Sequence, residues 1–386
     1  MADKKNTLHL PDLTIDGFRG IESLAIPRLG RVTLIAGRNS VGKTTILEAV
    51  RIYAGQGSTS PLFDLLRKRE EFSLAIDEDG DNATNLDWPT LFYGRNISQE
   101  SHSSIGPANP ADRVLIESTV LREDEIDELP NDFSAEAPFQ VIRLKFRRNE
   151  RIAPWIISLS GSRSSNSYYI PRAIRRLSQS TEAVPEIKCV SLGPDIITNR
   201  MIAELWDDAA DLKEEGLAVE SLKIIFGRDI EDVVMIGEDR SNRPSPWRVG
   251  GAIGGRRAKA SLQYFNHRVP LKSLGDGAIR LYGIALGLIN SRGGFLLIDE
   301  AENGLHYSVQ HDFWSMVLQE AEANNVQVLA TTHSADCIDG FALAASEHPD
   351  ISSVYLRLDK DASGHFIVDY PKEDLVVASE HGTEMR

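Results

Sequence analysis

The sequence predicts an α/β fold with a mixed β-sheet, written in two separated pieces. Val32-Thr33-Leu34-Ile35-Ala36 is a short continuous apolar run, the pattern of a strand buried on both faces. It runs into the glycine-containing stretch Gly37-Arg38-Asn39-Ser40-Val41-Gly42-Lys43-Thr44, after which Ile46, Leu47, Val50 and Tyr53 recur at helical spacing. More than 200 residues later, Phe295-Leu296-Leu297-Ile298 is a second such run and ends in two adjacent carboxylates, Asp299 and Glu300.

The remaining elements follow from periodicity. Leu13–Ile15 and Leu24–Ile26 read as strands flanking the turn Asp16-Gly17-Phe18-Arg19-Gly20. Asp276 to Asn290 carries Ile279, Leu281, Tyr282, Ile284, Ala285 and Leu288, which predicts a buried helix. His311 to Asn324 reads as another helix, and Val326 to Thr332 as another buried strand. Val354–Leu358 and His365–Asp369 flank a polar turn, which predicts a terminal hairpin. Residues 1–55 and 270–386 thus form one discontinuous core, and 56–269 an inserted α+β lobe. Within the lobe, Ser101–Ser104 and Ser160–Ser167 read as loops or hairpin tips. Val141–Arg147 alternates as a half-buried strand, Asn199 to Glu215 as a helix, and Gly250–Arg257 as a flexible turn with a basic end. No heptad repeat is sustained, so a long coiled-coil arm is not expected.

The chain has 386 residues, enough for roughly two or three domains. No stretch has the length and apolarity of a membrane span, and the first residues lack the apolar core of a secretory signal. Cys189 and Cys337 are the only cysteines, which rules out a disulfide framework and makes cytoplasmic residence the expectation. The formal net charge of −15 argues against whole-surface attraction to nucleic acid. A basic island stands out locally: between 142 and 177 lie Arg143, Lys145, Arg147, Arg148, Arg151, Arg163, Arg172, Arg175 and Arg176, against Glu150 alone. It reads as a solvated face, with nucleic acid as the alternative occupant.

The chemistry follows from the residue types. Gly37–Thr44 matches GxxxxGK[ST], the pattern of a loop that cradles phosphates, between strand and helix as that pattern requires. Its glycines let backbone amides turn inward, and the following helix aims its N-terminus at the same anion. Gly37, Arg38, Asn39, Ser40, Gly42, Lys43, Thr44 and Thr45 are the nucleotide-binding candidates. Lys43 would neutralise β- and γ-phosphate, and the Thr44 hydroxyl would bind Mg²⁺. Asp299, at a strand end where open α/β sheets place ligands, is the second metal candidate, and Glu300 the candidate base for water. Ser273, Gly275, Asp276 and Gly277, just before a helix, form a second candidate anion site. His333, after Val326–Thr332, is placed to bond the γ-phosphate.

In this order the motifs resemble the Walker A, signature, Walker B and switch-histidine elements of ABC-type ATPase heads, a P-loop NTPase fold. Asp16–Ile21, Glu302–His306 and, in the middle of the chain, Glu204–Asp207 are most similar to the RecF/OLD-related subgroup, often described as AAA-type ATP-binding proteins. The resemblance implies ATP and Mg²⁺ as ligands and a homodimer or higher homo-oligomer that sandwiches ATP. It also implies a loop at Glu302–Leu305 that crosses the dimer interface. It further implies a protein effector, with nucleic acid a candidate partner through Arg143, Lys145, Arg147, Arg148, Arg172, Arg175 and Arg176. Gln99 is the candidate Q-loop residue. Asp359-Lys360-Asp361 spells the DxD of the TOPRIM nuclease domain carried by OLD relatives, but its flanking strands make it a hairpin tip. The expected function is an ATPase coupling hydrolysis to conformational change, regulating an effector in DNA transactions or phage defence. Alternatives are a nucleotide-switched binding module with incidental turnover and a DNA-repair clamp of RecF type.

Overall fold

The computed structural model describes residues 8–58, 60–76, 82–95, 100–120, 140–148, 151–159, 186–195, 197–237, 256–372 and 374–375. Its N-terminal elements are β1 (Leu13–Phe18), β2 (Ile21–Ile26), β3 (Val32–Ala36), α1 (Lys43–Ala54) and α2 (Ser60–Lys68). There follow β4 (Phe72–Ile76), β5 (Asn82–Leu86), β6 (Glu100–Gly106), β7 (Val114–Val120), β8 (Gln140–Arg148), β9 (Arg151–Leu159) and β10 (Cys189–Leu192). Helices α3 (Asn199–Asp211) and α4 (Glu215–Phe226) precede β11 (Ile230–Gly237), β12 (Arg256–Leu262) and β13 (Val269–Pro270). The chain closes with α5 (Asp276–Asn290), β14 (Phe295–Ile298), α6 (Gln310–Ala323), β15 (Gln327–Thr331), α7 (Ala335–Glu347), β16 (Ser353–Asp361) and β17 (Gly364–Tyr370).

Two sheets sandwich α1. One runs β10-β14-β15-β3-β16-β17, with β17 antiparallel to β16 and the other pairings parallel. The other, β2-β1-β6-β7-β8-β9, is antiparallel throughout. Successive side chains of β3 point to opposite faces, so Leu34 joins the core beneath α5, α6 and α7 while Ile35 joins the core around α1. Both faces being covered, β3, β14 and β15 are buried along their whole length, and this is why they read as largely apolar runs. Between α6 and α7, Trp314 meets Phe341 edge-to-face at 5.1 Å. Burial of each such ring contributes about 1.5–3 kcal/mol.

This strand order positions the site. β14, β15 and β3 are neighbours and parallel, with Ile298 beside Ala330 and Thr331 beside Ile35. Their carboxyl ends therefore deliver Asp299, Thr332 and Gly37 to one rim, the location open α/β sheets use for ligands.

The middle of the chain departs from the expected lobe. β10 forms the edge of the parallel sheet against β14, and β6 to β9 extend the sheet begun by β1 and β2. The expected boundaries at 55/56 and 269/270 thus cut through both sheets. Ser101–Ser104, expected as a loop, belong to β6. Gly17 lies so close to this strand that a Cβ there would meet the His102 carbonyl oxygen at 2.5 Å, and the buried Ser103 hydroxyl donates to the Gly17 carbonyl at 2.6 Å. Arg256 and Arg257 open β12 and are not a turn. Asp359–Asp361 end β16 at the tip of the terminal hairpin. Arg143, Lys145, Arg147 and Arg148 lie on β8 and Arg151 on β9. Gln99, Ser160–Ser167, Arg163, Arg172, Arg175, Arg176 and Gly250–Gly255 lie outside the described residues. Among the described residues no helix is long and apolar enough to cross a membrane.

Candidate functional site

The loop between β3 and α1 is held in a conformation that favours glycine at two of its positions, Gly37 and Gly42. Gly37, Ser40 and Gly42 have φ of 149°, 62° and 110°. A Cβ on Gly37 would meet the Leu358 carbonyl oxygen at 2.5 Å, so β16 backs the loop closely. Gly42 caps α1, and Lys43 begins it. Lys43 is 8% exposed, and its Nζ donates to the carbonyls of Gly37 (2.6 Å) and Arg38 (3.0 Å). Burial lowers its pKa, against the opposing pull of Asp299, Glu300 and Glu302. Arg38, Asn39 and Ser40 are exposed at the loop crest, and Thr45 is half-buried.

Asp299 is almost fully buried and doubly held. Its Oδ2 accepts from the Thr44 hydroxyl at 2.8 Å, and its Oδ1 from the Thr331 hydroxyl at 2.5 Å. Thr331 also accepts from the Glu300 N–H at 2.9 Å, so one hydroxyl orients both neighbours. Glu300 has φ 51°, a left-handed turn that swings its side chain off the strand direction. Its Oε2 accepts from Asn303 Nδ2 at 2.7 Å. Behind the turn, buried Arg280 of α5 donates to the carbonyls of Asp299 (2.6 Å), Glu300 (3.0 Å) and Gly193 (2.6 Å). His333 stands beside both following carboxylates, with Nδ1 3.1 Å from Glu302 Oε1 and 3.9 Å from Glu300 Oε1.

The Thr44 hydroxyl and the Asp299 carboxylate supply adjacent oxygen donors next to a buried ammonium. That donor set fits a hard divalent cation accompanying a polyphosphate. The structure therefore gathers Lys43, Thr44, Asp299, Glu300 and His333 at one rim. Ser273, Gly275 and Asp276 are exposed on the turn preceding α5, where Gly275 has φ 103°, and Gly277 packs against Gly304. Among the described hydrogen bonds none joins this turn to Gly37–Thr44.

Reading the sequence assigned Thr331 and Arg280 no place in the site, and placed Asn303 only in a loop expected to cross a dimer interface. Arg280 had a signal, being a lone cation within an otherwise apolar helical run. Thr331 had none, since its role depends on a partner that the strand order supplies.

Residues 257–339, which hold the Ser273 turn, both carboxylates and His333, match the family model "AAA domain, putative AbiEii toxin, Type IV TA system". The chain is 19% identical over 355 residues, 86% of each chain, to an ATP/GTP phosphatase of Helicobacter pylori (strain ATCC 700392 / 26695). Over 88 residues it is 38% identical to Uncharacterized protein MJECL11 of Methanocaldococcus jannaschii, covering 22% of this chain and 76% of that protein. Among solved structures, an SmcHead bound to the C-winged helix domain of ScpA overlaps with TM-score 0.47 and 13% identity, covering 95% of this chain and 99% of that one. An SMC head domain from Thermotoga maritima overlaps with TM-score 0.40 and 13% identity, covering 94% and 100%. The fold and the site define a P-loop ATPase of the AAA/ABC-like class. Within it, the chain belongs to the same family as MJECL11 of M. jannaschii.

Proposed function

We propose that this chain binds ATP with Mg²⁺, hydrolyses it, and closes as a homodimer around the nucleotide, so that hydrolysis drives a conformational change that regulates a protein effector. The observation that carries the reading is the 2.8 Å hydrogen bond from Thr44 Oγ1 to Asp299 Oδ2, which joins the end of the phosphate loop to the carboxylate of β14. In this reading Gly37–Ser40 and Gly42–Thr45 hold the triphosphate, with Lys43 placed against β- and γ-phosphate. Thr44 and Asp299 would hold Mg²⁺, which supplies charge neutralisation when bound. Glu300 orients and polarises water, a sufficient role because phosphoryl transfer has a loose transition state. His333 bonds the γ-phosphate. The name of the H. pylori relative, an ATP/GTP phosphatase, supports the reaction.

The dimer reading rests on the second anion-accepting turn. Ser273, Gly275, Asp276 and Gly277 open a 15-residue helix at the surface, and helix N-termini attract phosphate. A turn of this kind, unlinked to its own chain's phosphate loop, fits the γ-phosphate of a second protomer's ATP. The RecF/OLD-related subgroup, and with it a role in DNA transactions or phage defence, is supported by Asp16–Ile21 and Glu302–His306.

Phosphate release at saturating ATP tests the reaction. Glu300→Gln is expected to slow it about 100-fold or more and to accumulate ATP-bound dimer in sedimentation. Wild-type turnover in that variant would remove the base assignment, and full turnover at dilutions where only monomer sediments would remove the dimer.

A further inference from the structure

We propose that the loop Glu302–Gly304 is a positioning element that holds both candidate catalytic side chains of its own chain, Glu302 fixing the His333 ring and Asn303 the Glu300 carboxylate. The proposal rests on the ATPase reading above and adds a role within one protomer to a loop otherwise expected only to meet a partner.

The Glu302 side chain is 10% exposed. Its Oε1 accepts from the His333 backbone N–H at 2.9 Å and lies 3.1 Å from Nδ1 of the same residue. A carboxylate oxygen this close to Nδ1 favours a ring proton there over a lone pair, so the contact assigns the ring proton to Nδ1 and leaves Nε2 as the ring atom facing a ligand. The backbone bond meanwhile fixes where the ring begins. Main chain and tautomer are thus set by the same oxygen.

The next residue does the same for Glu300. Asn303 Nδ2 donates to Glu300 Oε2 at 2.7 Å and to the Pro194 carbonyl at 3.1 Å, which ties the carboxylate to the segment after β10. Its other oxygen, Oε1, remains on the His333 side at 3.9 Å from Nδ1. The two side chains assigned to water and to γ-phosphate are therefore aligned with each other through consecutive residues.

The loop is itself anchored. Gly304 has φ 78°, and its carbonyl oxygen lies 2.5 Å from where a Cβ on Gly277 would stand. No side chain fits at 277 without moving the loop. The second anion site and the loop are thus in main-chain contact, and displacement of the Ser273–Gly277 turn would be felt at His333 and Glu300 together.

Neither Glu302 nor Asn303 is placed on the reacting atoms, so the test must separate positioning from general structural damage. Glu302→Gln keeps the shape and removes the charge. With nucleotide affinity and melting temperature near those of the wild type, its kcat is expected to fall about tenfold with little change in KM, the scale of losing a group that orients a catalytic one. The defect should vanish in a His333→Ala background, and that of Asn303→Ala should vanish in a Glu300→Gln background, because each acts only through its partner. ¹⁵N-histidine spectra of the nucleotide-free protein are expected to show His333 protonated at Nδ1 in the wild type and redistributed toward Nε2 in Glu302→Gln. Multiplying defects in the double variants, or an unchanged tautomer in Glu302→Gln, would overturn the proposal. If the wild type hydrolyses no ATP, the ATPase reading fails, while the spectra still decide whether Glu302 sets the ring.

Discussion

Arg280 reaches from the buried side of α5 to the carbonyl oxygen of Asp299 at 2.6 Å, placing a guanidinium directly behind the carboxylate that meets Thr44. The same fork donates to the carbonyls of Glu300 and Gly193. Burial lowers its pKa, with Asp299, Glu302 and Glu300 pulling the other way. The residue is 4% exposed, so water cannot replace those donors if the side chain is removed. Arg280→Ala is expected to cost about 2–4 kcal/mol in chemical denaturation. Arg280→Lys keeps the charge without the planar fork and should recover only part of the loss. An alanine variant as stable as the wild type would show that these contacts carry no net stability.

Gly37 joins β3 to the phosphate loop at φ 149° with the Leu358 carbonyl behind it. A Cβ there strains the backbone and drives the loop from β16. Gly37→Ala is expected to destabilise by about 1–3 kcal/mol and to weaken ATP binding at least tenfold in equilibrium titration. Wild-type affinity in that variant would mean that the loop adapts and that its observed shape is not required.

His311 links α6 to α7 through Nε2 and Glu347 at 2.8 Å, while Nδ1 meets Asp312 at 2.9 Å. Burial lowers its pKa, but hydrogen bonds and charge from Glu347 and Asp312 outweigh burial and hold it above the ordinary value. A base with a raised folded-state pKa contributes stability that is full below its unfolded value, about 6.5, and is lost as pH rises through the folded value. The melting-temperature gap between wild type and Glu347→Gln should therefore be widest near pH ~5.5 and close by pH ~8.5. A gap that widens with rising pH would contradict the assignment.

Cys337 lies fully buried in the first turn of α7, four residues after His333, and burial pushes its thiol up to about 12. Cys189 on β10 is raised likewise, to about 12. Only the thiolate attacks disulfide reagents, so native protein at pH ~8 should react slowly at both positions, and quickly once unfolded. Rapid native labelling at Cys337 would mean that α7 opens readily beside His333.

The elements legible in the chain are those whose environment is uniform. β3, β14 and β15 are buried on both faces, and their apolar runs mark them to within a residue or two. α5 shows the same clarity because residues 277–289 are buried all round it. Ser101–Ser104 mislead because their strand is stabilised from outside, by pairing with β1 and β7 and by the close approach of Gly17. The short helices α2 and α4 lie in irregular stretches with no comparable run. At the site, the glycine loop and the paired carboxylates are visible as local chemistry. Arg280 and Thr331 act through partners that local spacing does not specify.

The amino-acid order alone marked Gly37–Thr44 and Asp299-Glu300 as candidates for phosphate and metal, each at the end of a buried strand, because residue chemistry and strand burial depend on near neighbours in the chain. The tertiary structure decided that β14 and β3 flank β15, so that Thr44 and Asp299, 255 positions apart, share a hydrogen bond. It also decided that Glu302 faces His333. Such pairings are set by the order and register of strands in a sheet, which only the packing of the whole chain selects.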